Sequence, residues 1–212
     1  VEPYIRKAES NNARIKYVFE THFHADFVSG HLDLSKKTGA PIVYGPNAKP
    51  AFEAIIATDG QEFKVGDITL KVLHTPGHTM ESTCFLLRDE KGKDVGLFSG
   101  DTLFIGDVGR PDLAQKVVAD LTQEKLAGYL FDSLRNQIMP LADDIIVYPA
   151  HGAGSACGKN MSKETTDTLG HQKETNYALR SNMTREEFIK EVTTGLVAPP
   201  AYFPLNVMMN IQ

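Results

Sequence analysis

The segments Thr21-His22-Phe23-His24-Ala25-Asp26, His74-Thr75-Pro76-Gly77-His78, Ser99-Gly100-Asp101 and Pro149-Ala150-His151-Gly152 set imidazoles and carboxylates beside glycine or threonine at four separated points. Such donors hold a first-row transition metal, and a metal so held activates water or oxygen. His22 and His24 are two apart, so on an extended chain both point to one side and reach one pocket. His78 follows a stiff Pro76-Gly77 turn, and Asp101 follows a glycine. As ligands the imidazoles must be neutral and the carboxylate ionised, because only those forms offer lone pairs. Taken singly, each part has a plainer reading: a chance His-x-His, a turn aspartate, a surface histidine in a glycine-rich loop. Four strand-end positions together read as a metal pocket.

The number of metals turns on Phe27. A histidine directly after Asp26 would build a second cation position beside the first, bridged by Asp101 and closed by His151, but Phe27 offers no lone pair. These residues predict a single metal, and two histidines with one carboxylate is the arrangement of non-haem Fe(II) that activates oxygen. On that count His24 is spare, and His151 lies near a vacant second position, where either hydrogen-bonds to water, substrate or a ligand carboxylate. Arg110, after Gly109 in what reads as an exposed loop, is a substrate clamp for a carboxylate or phosphate, or else a salt-bridge partner of Asp107 or Asp112. Tyr148 either reaches the pocket from the strand before His151 or turns into the core. Cys157, with Lys159 nearby to favour its thiolate, is either a sulfur acceptor or an inert thiol.

Strands and helices must deliver these groups. Ile15 to Glu20 reads as a short apolar strand ending at the His-x-His, followed by a helix closed by Gly39 and a buried strand at Pro41–Gly45. Phe63, Val65, Ile68, Leu70 and Val72 alternate with polar residues about a Gly66-Asp67 turn, a hairpin in which Leu73 is the one misfit. Cys84–Leu87 and Val95–Phe98 form a further hairpin ending at Asp101. Leu126, Leu130 and Leu134 predict a helix over 122–134. Ile145–Tyr148 is a strand leading to His151, and Thr184 with Glu187 has capping-box spacing for a last helix. Strands in two groups separated by helices predict two sheets packed face to face, with helices outside.

A chain of 212 residues with 42% hydrophobic composition can bury a full core. A net charge of −5 and no concentrated Lys/Arg face argue against nucleic acid. No apolar run approaches the roughly 20 residues that span a bilayer. Two cysteines, Cys84 and Cys157, and no leader at the start predict a reducing, cytoplasmic setting, with a bridge between them left open. Homo-oligomer formation is also left open.

The His-x-His-x-Asp run, His74–Thr79, Gly100-Asp101-Thr102-Leu103-Phe104 and Pro149–Gly152 together resemble the metallo-beta-lactamase superfamily. Glu81-Ser82 and Phe104–Asp112 resemble its persulfide dioxygenase, or sulfur dioxygenase, branch. The resemblance implies an α/β four-layered αβ/βα sandwich, here expected to lack its first strands. It also implies one Fe(II), with Zn as a substitute, held by catalytic His22, His78 and Asp101, with His24 no ligand. Its substrates would be O2 and a thiol persulfide such as glutathione persulfide. Residues 1–212 are expected to form the catalytic domain, with 197–212 a linker toward an absent rhodanese domain of a bacterial fusion. The rival expectations are a glyoxalase-II-like zinc thioester hydrolase, from which Phe27 is the discriminating residue, and a non-catalytic metal-binding or structural fragment.

Overall fold

The computed structural model describes residues 1–114 and 120–212. After a first helix, α1 (Glu2–Ser10), strand β1 (Val18–Phe19) runs into the His-x-His segment. Helix α2 (His31–Thr38) then returns the chain to β2 (Ile42–Tyr44), which pairs parallel with both β1 and β3 (Ile55–Ile56). Such a crossover is what parallel strands require, and β2 is buried along its whole length. Gly39 ends α2 in the left-handed conformation, φ 73°, as expected. The helix begins at His31 and not near Phe27; residues 21–30 form an irregular loop.

The second sheet has six strands in chain order: β4 (Glu62–Val65), β5 (Ile68–His74), β6 (Thr83–Arg88), β7 (Asp94–Gly100), β8 (Ile146–Pro149) and β9 (Asp167–Thr168). All neighbours are antiparallel except β7 and β8. The parallel step needs a crossover, and helix α3 (Gln123–Ser133) supplies it. Thr122 caps α3 by accepting the Lys125 N–H, and Leu126, Leu130 and Leu134 are fully buried.

Leu73, the misfit in the hairpin pattern, has a physical explanation. Val72 joins Val43, Phe63 and Phe85 in the core between the sheets, whereas Leu73 joins Leu86, Leu97 and Val147 against Leu130, Leu134 and Phe188 on the opposite face. The larger sheet is therefore covered on both faces, and alternation is not required of it. Helices α3, α4 (Leu169–Thr175) and α5 (Arg185–Thr193) lie on that outer face; α5 has the expected capping box between Thr184 and Glu187.

Residues 197–212, expected as a linker, include a packed helix. Phe203–Ile211 form helix α6, whose Val207 and Ile211 pack on Phe23, Ile42 and Tyr44 of the smaller sheet's outer face. The layers are thus helix, sheet, sheet, helix: the αβ/βα sandwich. With three strands facing six, Phe98 and Tyr148 on the larger sheet remain 40% and 41% exposed. Both cysteines are free and buried, so there is no Cys84–Cys157 bridge. Among the described residues no helix is long and apolar enough to cross a membrane.

Candidate metal centre

The ends of β1, β5, β7 and β8 converge. His22, His78 and Asp101 have donor atoms within 4.8 Å of one another, all buried. His78 Nδ1 donates to the Arg110 carbonyl at 2.8 Å, so its Nε2 carries the lone pair and faces Asp101 Oδ2 at 3.2 Å. His22 pairs through Nδ1 with Thr21 Oγ1 at 3.0 Å and turns Nε2 toward the same Asp101 oxygen at 3.6 Å. Burial pushes the His22 pKa well below its usual value, with the charge of His24 adding to it, so the ring is neutral and ready to ligate. Burial would raise the Asp101 carboxyl, but His22, His78 and His151 outweigh it and hold the group far below the usual carboxylate range.

Two glycines let the strand ends approach. A Cβ on Gly100, at φ 53°, would sit 2.8 Å from Thr21 Cβ, and one on Gly109 would sit 2.0 Å from the Asp101 carbonyl and 2.9 Å from His78 Nδ1. Only a bare backbone fits there.

His24, Asp26 and His151 form a second donor set under the same 4.8 Å criterion. His151 donates from Nδ1 to Asp101 Oδ1 at 2.7 Å and from Nε2 to Asp26 Oδ2 at 2.8 Å. Two carboxylate acceptors demand a proton on each ring nitrogen. Burial opposes that charge, yet Asp101 and Asp26 raise the His151 pKa to about 10. Asp101 thus faces the first set with one oxygen and the second with the other.

Whether cations fit can be read from what lacks a partner. Among the described residues the buried side-chain polar atoms without a hydrogen bond are His24 Nδ1, Asp26 Oδ1 and Asp101 Oδ2. Each such atom costs about 1–3 kcal/mol, and all three belong to these two sets. Neutral nitrogen and ionised oxygen donors suit zinc, iron or manganese, so the residues fit a metal, His151 once it has given up a ring proton. Glu20 stands behind, with Oε1 3.1 Å from His31 Nδ1 and Oε2 3.5 Å from His24 Nε2.

Several sequence expectations change here. Phe27, expected to remove a nitrogen from the second position and set an apolar ring beside it, is 45% exposed and stacks on the His24 ring at 4.4 Å, while His24, Asp26 and His151 still gather three donors there. His24, expected to be spare, lies in that set, and its Nδ1 has no hydrogen-bond partner. Arg110 lies in no exposed loop; it is buried, bonded through two nitrogens to Asp112, and donates to the Ala156 and Val197 carbonyls. Four of its five N–H donors are committed to these partners. Asp107 is likewise committed, accepting from Tyr177 Oη and from the Lys159 and Asn160 N–H groups. Tyr148 stacks on Phe98 and lines an apolar groove with Phe19 and Phe85, outside both donor sets.

Cys157 Sγ lies with Asp101 and His151 donors, but burial and the nearby Asp101 and Asp26 charges raise its pKa and keep it a thiol. Lys159 gives it no help, because its Nζ is taken by the Glu191 and Thr194 carbonyls. Sequence reading missed Glu20, His31, Gly109, Asn206 and Asn210; two asparagines four apart in the apolar run Phe203–Ile211 were the one visible signal among them. Beside His78 lies an apolar cavity of about 90 Å³ bordered by Phe23, Ala25, Met80, Leu113 and Val207.

Fold and site together define a metal-binding αβ/βα sandwich protein. The Metallo-beta-lactamase superfamily pattern matches residues 2–151, and the chain belongs to that superfamily. The hydroxyacylglutathione hydrolase of Rhizobium etli is 36% identical over 129 residues, covering 59% of this chain and 48% of the relative. The probable hydroxyacylglutathione hydrolase glo2 of Schizosaccharomyces pombe is 31% identical over 153 residues, covering 71% of this chain and 54% of the relative. The chain thus spans about half the length of these curated relatives. Among solved structures, a metallo-beta-lactamase from Staphylococcus aureus subsp. aureus COL superposes with a TM-score of 0.89 at 38% identity, over 99% of this chain and 62% of that one. ETHE1 from Myxococcus xanthus superposes with a TM-score of 0.77 at 27% identity, over 99% and 84%.

These relatives overturn the expected persulfide dioxygenase: the curated proteins similar to this chain are hydroxyacylglutathione hydrolases. The physical reason the expectation failed is Phe27, whose side chain leaves the second donor set intact.

Proposed function

We propose that the chain is a metal-dependent thioester hydrolase acting on an acylated glutathione, releasing a carboxylic acid and the free thiol. The observation that carries this reading is the pair of donor sets linked by the His151–Asp101 hydrogen bond, which between them contain three buried polar atoms without a hydrogen-bond partner. His22, His78 and Asp101 would hold one cation, and His24, Asp26 and His151 the other. When bound, such a pair lowers the pKa of water and polarises a carbonyl oxygen.

The chain's own residues prepare that chemistry. Asp101 joins the two positions, and its burial excludes bulk water, which strengthens every charge interaction around it. His78 is fixed in one tautomer by the Arg110 carbonyl, so its Nε2 needs no reorganisation to ligate. The proton shared by His151 with Asp101 and Asp26 must leave before His151 can ligate, which ties loading of the second position to pH. The cavity beside His78 is bordered by apolar side chains and suits a small acyl chain.

The test is hydrolysis of a hydroxyacylglutathione by the metal-loaded chain, followed as loss of thioester absorbance and appearance of free thiol. Turnover abolished by chelation and by Asp101→Ala is expected. A chain that binds two metals and releases no thiol would refute the proposal.

A further inference from the structure

The loop that carries His24 and Asp26 has no regular structure, and its backbone is held from far along the chain. Asn210 Nδ2 donates to the His24 and Phe27 carbonyls, both at 2.8 Å, and Asn210 Oδ1 accepts the Ser29 N–H at 2.7 Å. Asn206 Nδ2 donates to the Ala25 carbonyl at 3.0 Å. The two asparagines are four apart on α6 and so share a face.

That face is otherwise apolar. Phe203 packs with Ala25, Phe104 and Cys157, and Val207 and Ile211 pack toward Phe23 and Tyr44. A carboxamide buried to 1% exposure in such a seam is costly unless its polar atoms are used. Asn210 uses both its nitrogen and its oxygen, and satisfies three loop backbone groups in return. Leucine would fill the seam without reproducing that pattern, and alanine would leave both a void and three unbonded backbone groups.

We infer that Asn210, assisted by Asn206, is a positioning residue for the second cation position, fixing the path of the loop so that His24 Nδ1 and Asp26 Oδ1 converge on His151. The first position depends on this helix less, because His78 and Asp101 are delivered by other strands and held by Gly109 and Arg110, and the backbone on either side of His22 is held elsewhere, the Thr21 carbonyl by the Thr83 N–H and the Phe23 N–H by Glu81. The inference rests on there being two cation positions and is independent of the substrate.

The experiment is titration of the metal-free 212-residue chain with Co(II) and Zn(II), read by calorimetry and, for Co(II), by its visible absorption. The chains compared are unaltered, Asn210→Ala and Asn206→Ala. In Asn210→Ala the second equivalent should bind about 10–100-fold more weakly, the range for lost outer partners of a metal ligand. Its Co(II) absorption band should shift, while the first equivalent changes less than about threefold. Asn206→Ala, which removes one bond, should show the same asymmetry at smaller size, and it carries the test if Asn210→Ala does not fold. Unchanged affinities, or equal weakening of both equivalents, would overturn the inference, the latter indicating a merely structural role. A single equivalent bound by the unaltered chain would refute the two-cation reading itself, and this inference with it.

Discussion

Replacing Asp101 with asparagine should disable both cation positions at once, although the side chain keeps its size. The Asp101 side chain has no solvent exposure, and three imidazoles surround it: His151 at 2.7 Å, His78 at 3.2 Å and His22 at 3.6 Å. On a surface, losing one ion-pair partner costs about 0–1 kcal/mol; in a buried group it costs about 3–5 kcal/mol, because the remaining charge has no water to replace the loss. Burial decides for the second figure. At 1.4 kcal/mol per decade, each equivalent should weaken by roughly 100- to 3,000-fold. Both should be affected because Oδ2 faces the first donor set and Oδ1 the second. Metal content after dialysis, with calorimetric titration of the metal-free variant, measures this. Retention of two equivalents would refute the reasoning, and so would loss of only one.

Arg110→Met should act on folding and not on substrate affinity: stranding buried Asp112 costs about 3–5 kcal/mol, or roughly 6–20 °C in melting temperature for a chain of this size. A stable variant with a raised KM would restore Arg110 as a substrate clamp. Phe27→Ala should leave two metals bound and cost less than about 1.5 kcal/mol, the upper value of an exposed ring stack; a change in metal count would contradict the placement of this ring. In the metal-free protein, the raised pKa of His151 stabilises the fold fully below its ordinary 6.5, and that contribution is lost as pH climbs to about 10. Metal-free melting temperature should fall across this window while affinity for the second equivalent rises, by up to about tenfold per pH unit as one proton is displaced. A pH-independent second affinity would show that His151 holds no such proton.

Much of this was legible in the residues. Strand-end histidines and aspartate flanked by glycine and threonine marked the pocket, and the Leu126, Leu130, Leu134 spacing and the Thr184–Glu187 box marked two helices, because these signals are local. What failed depended on distant contacts. Residues 197–212 were expected as a linker from their resemblance to a rhodanese-fusion junction, yet α6 finds its apolar partners on a strand about 165 residues earlier. Arg110 read as exposed because the residues that bury it, Ala156 and Val197, lie far along the chain. Phe27 misled for a related reason. The missing nitrogen after Asp26 suggested a second position with too few ligands, but the irregular loop sets His24 with Asp26 and His151 as a third donor. Spacing identifies which groups can ligate; the count of positions depends on loop path.

The central claim is a pair of cations joined by Asp101. Anomalous scattering from crystals of the metal-loaded chain, collected on both sides of the metal absorption edge, tests it directly. Two peaks are predicted, one among His22, His78 and Asp101 and one among His24, Asp26 and His151, with the hydrogen bonds from His151 to Asp101 and Asp26 broken. A lone peak beside His78, with His151 still bridging the two carboxylates under saturating metal, would contradict the account.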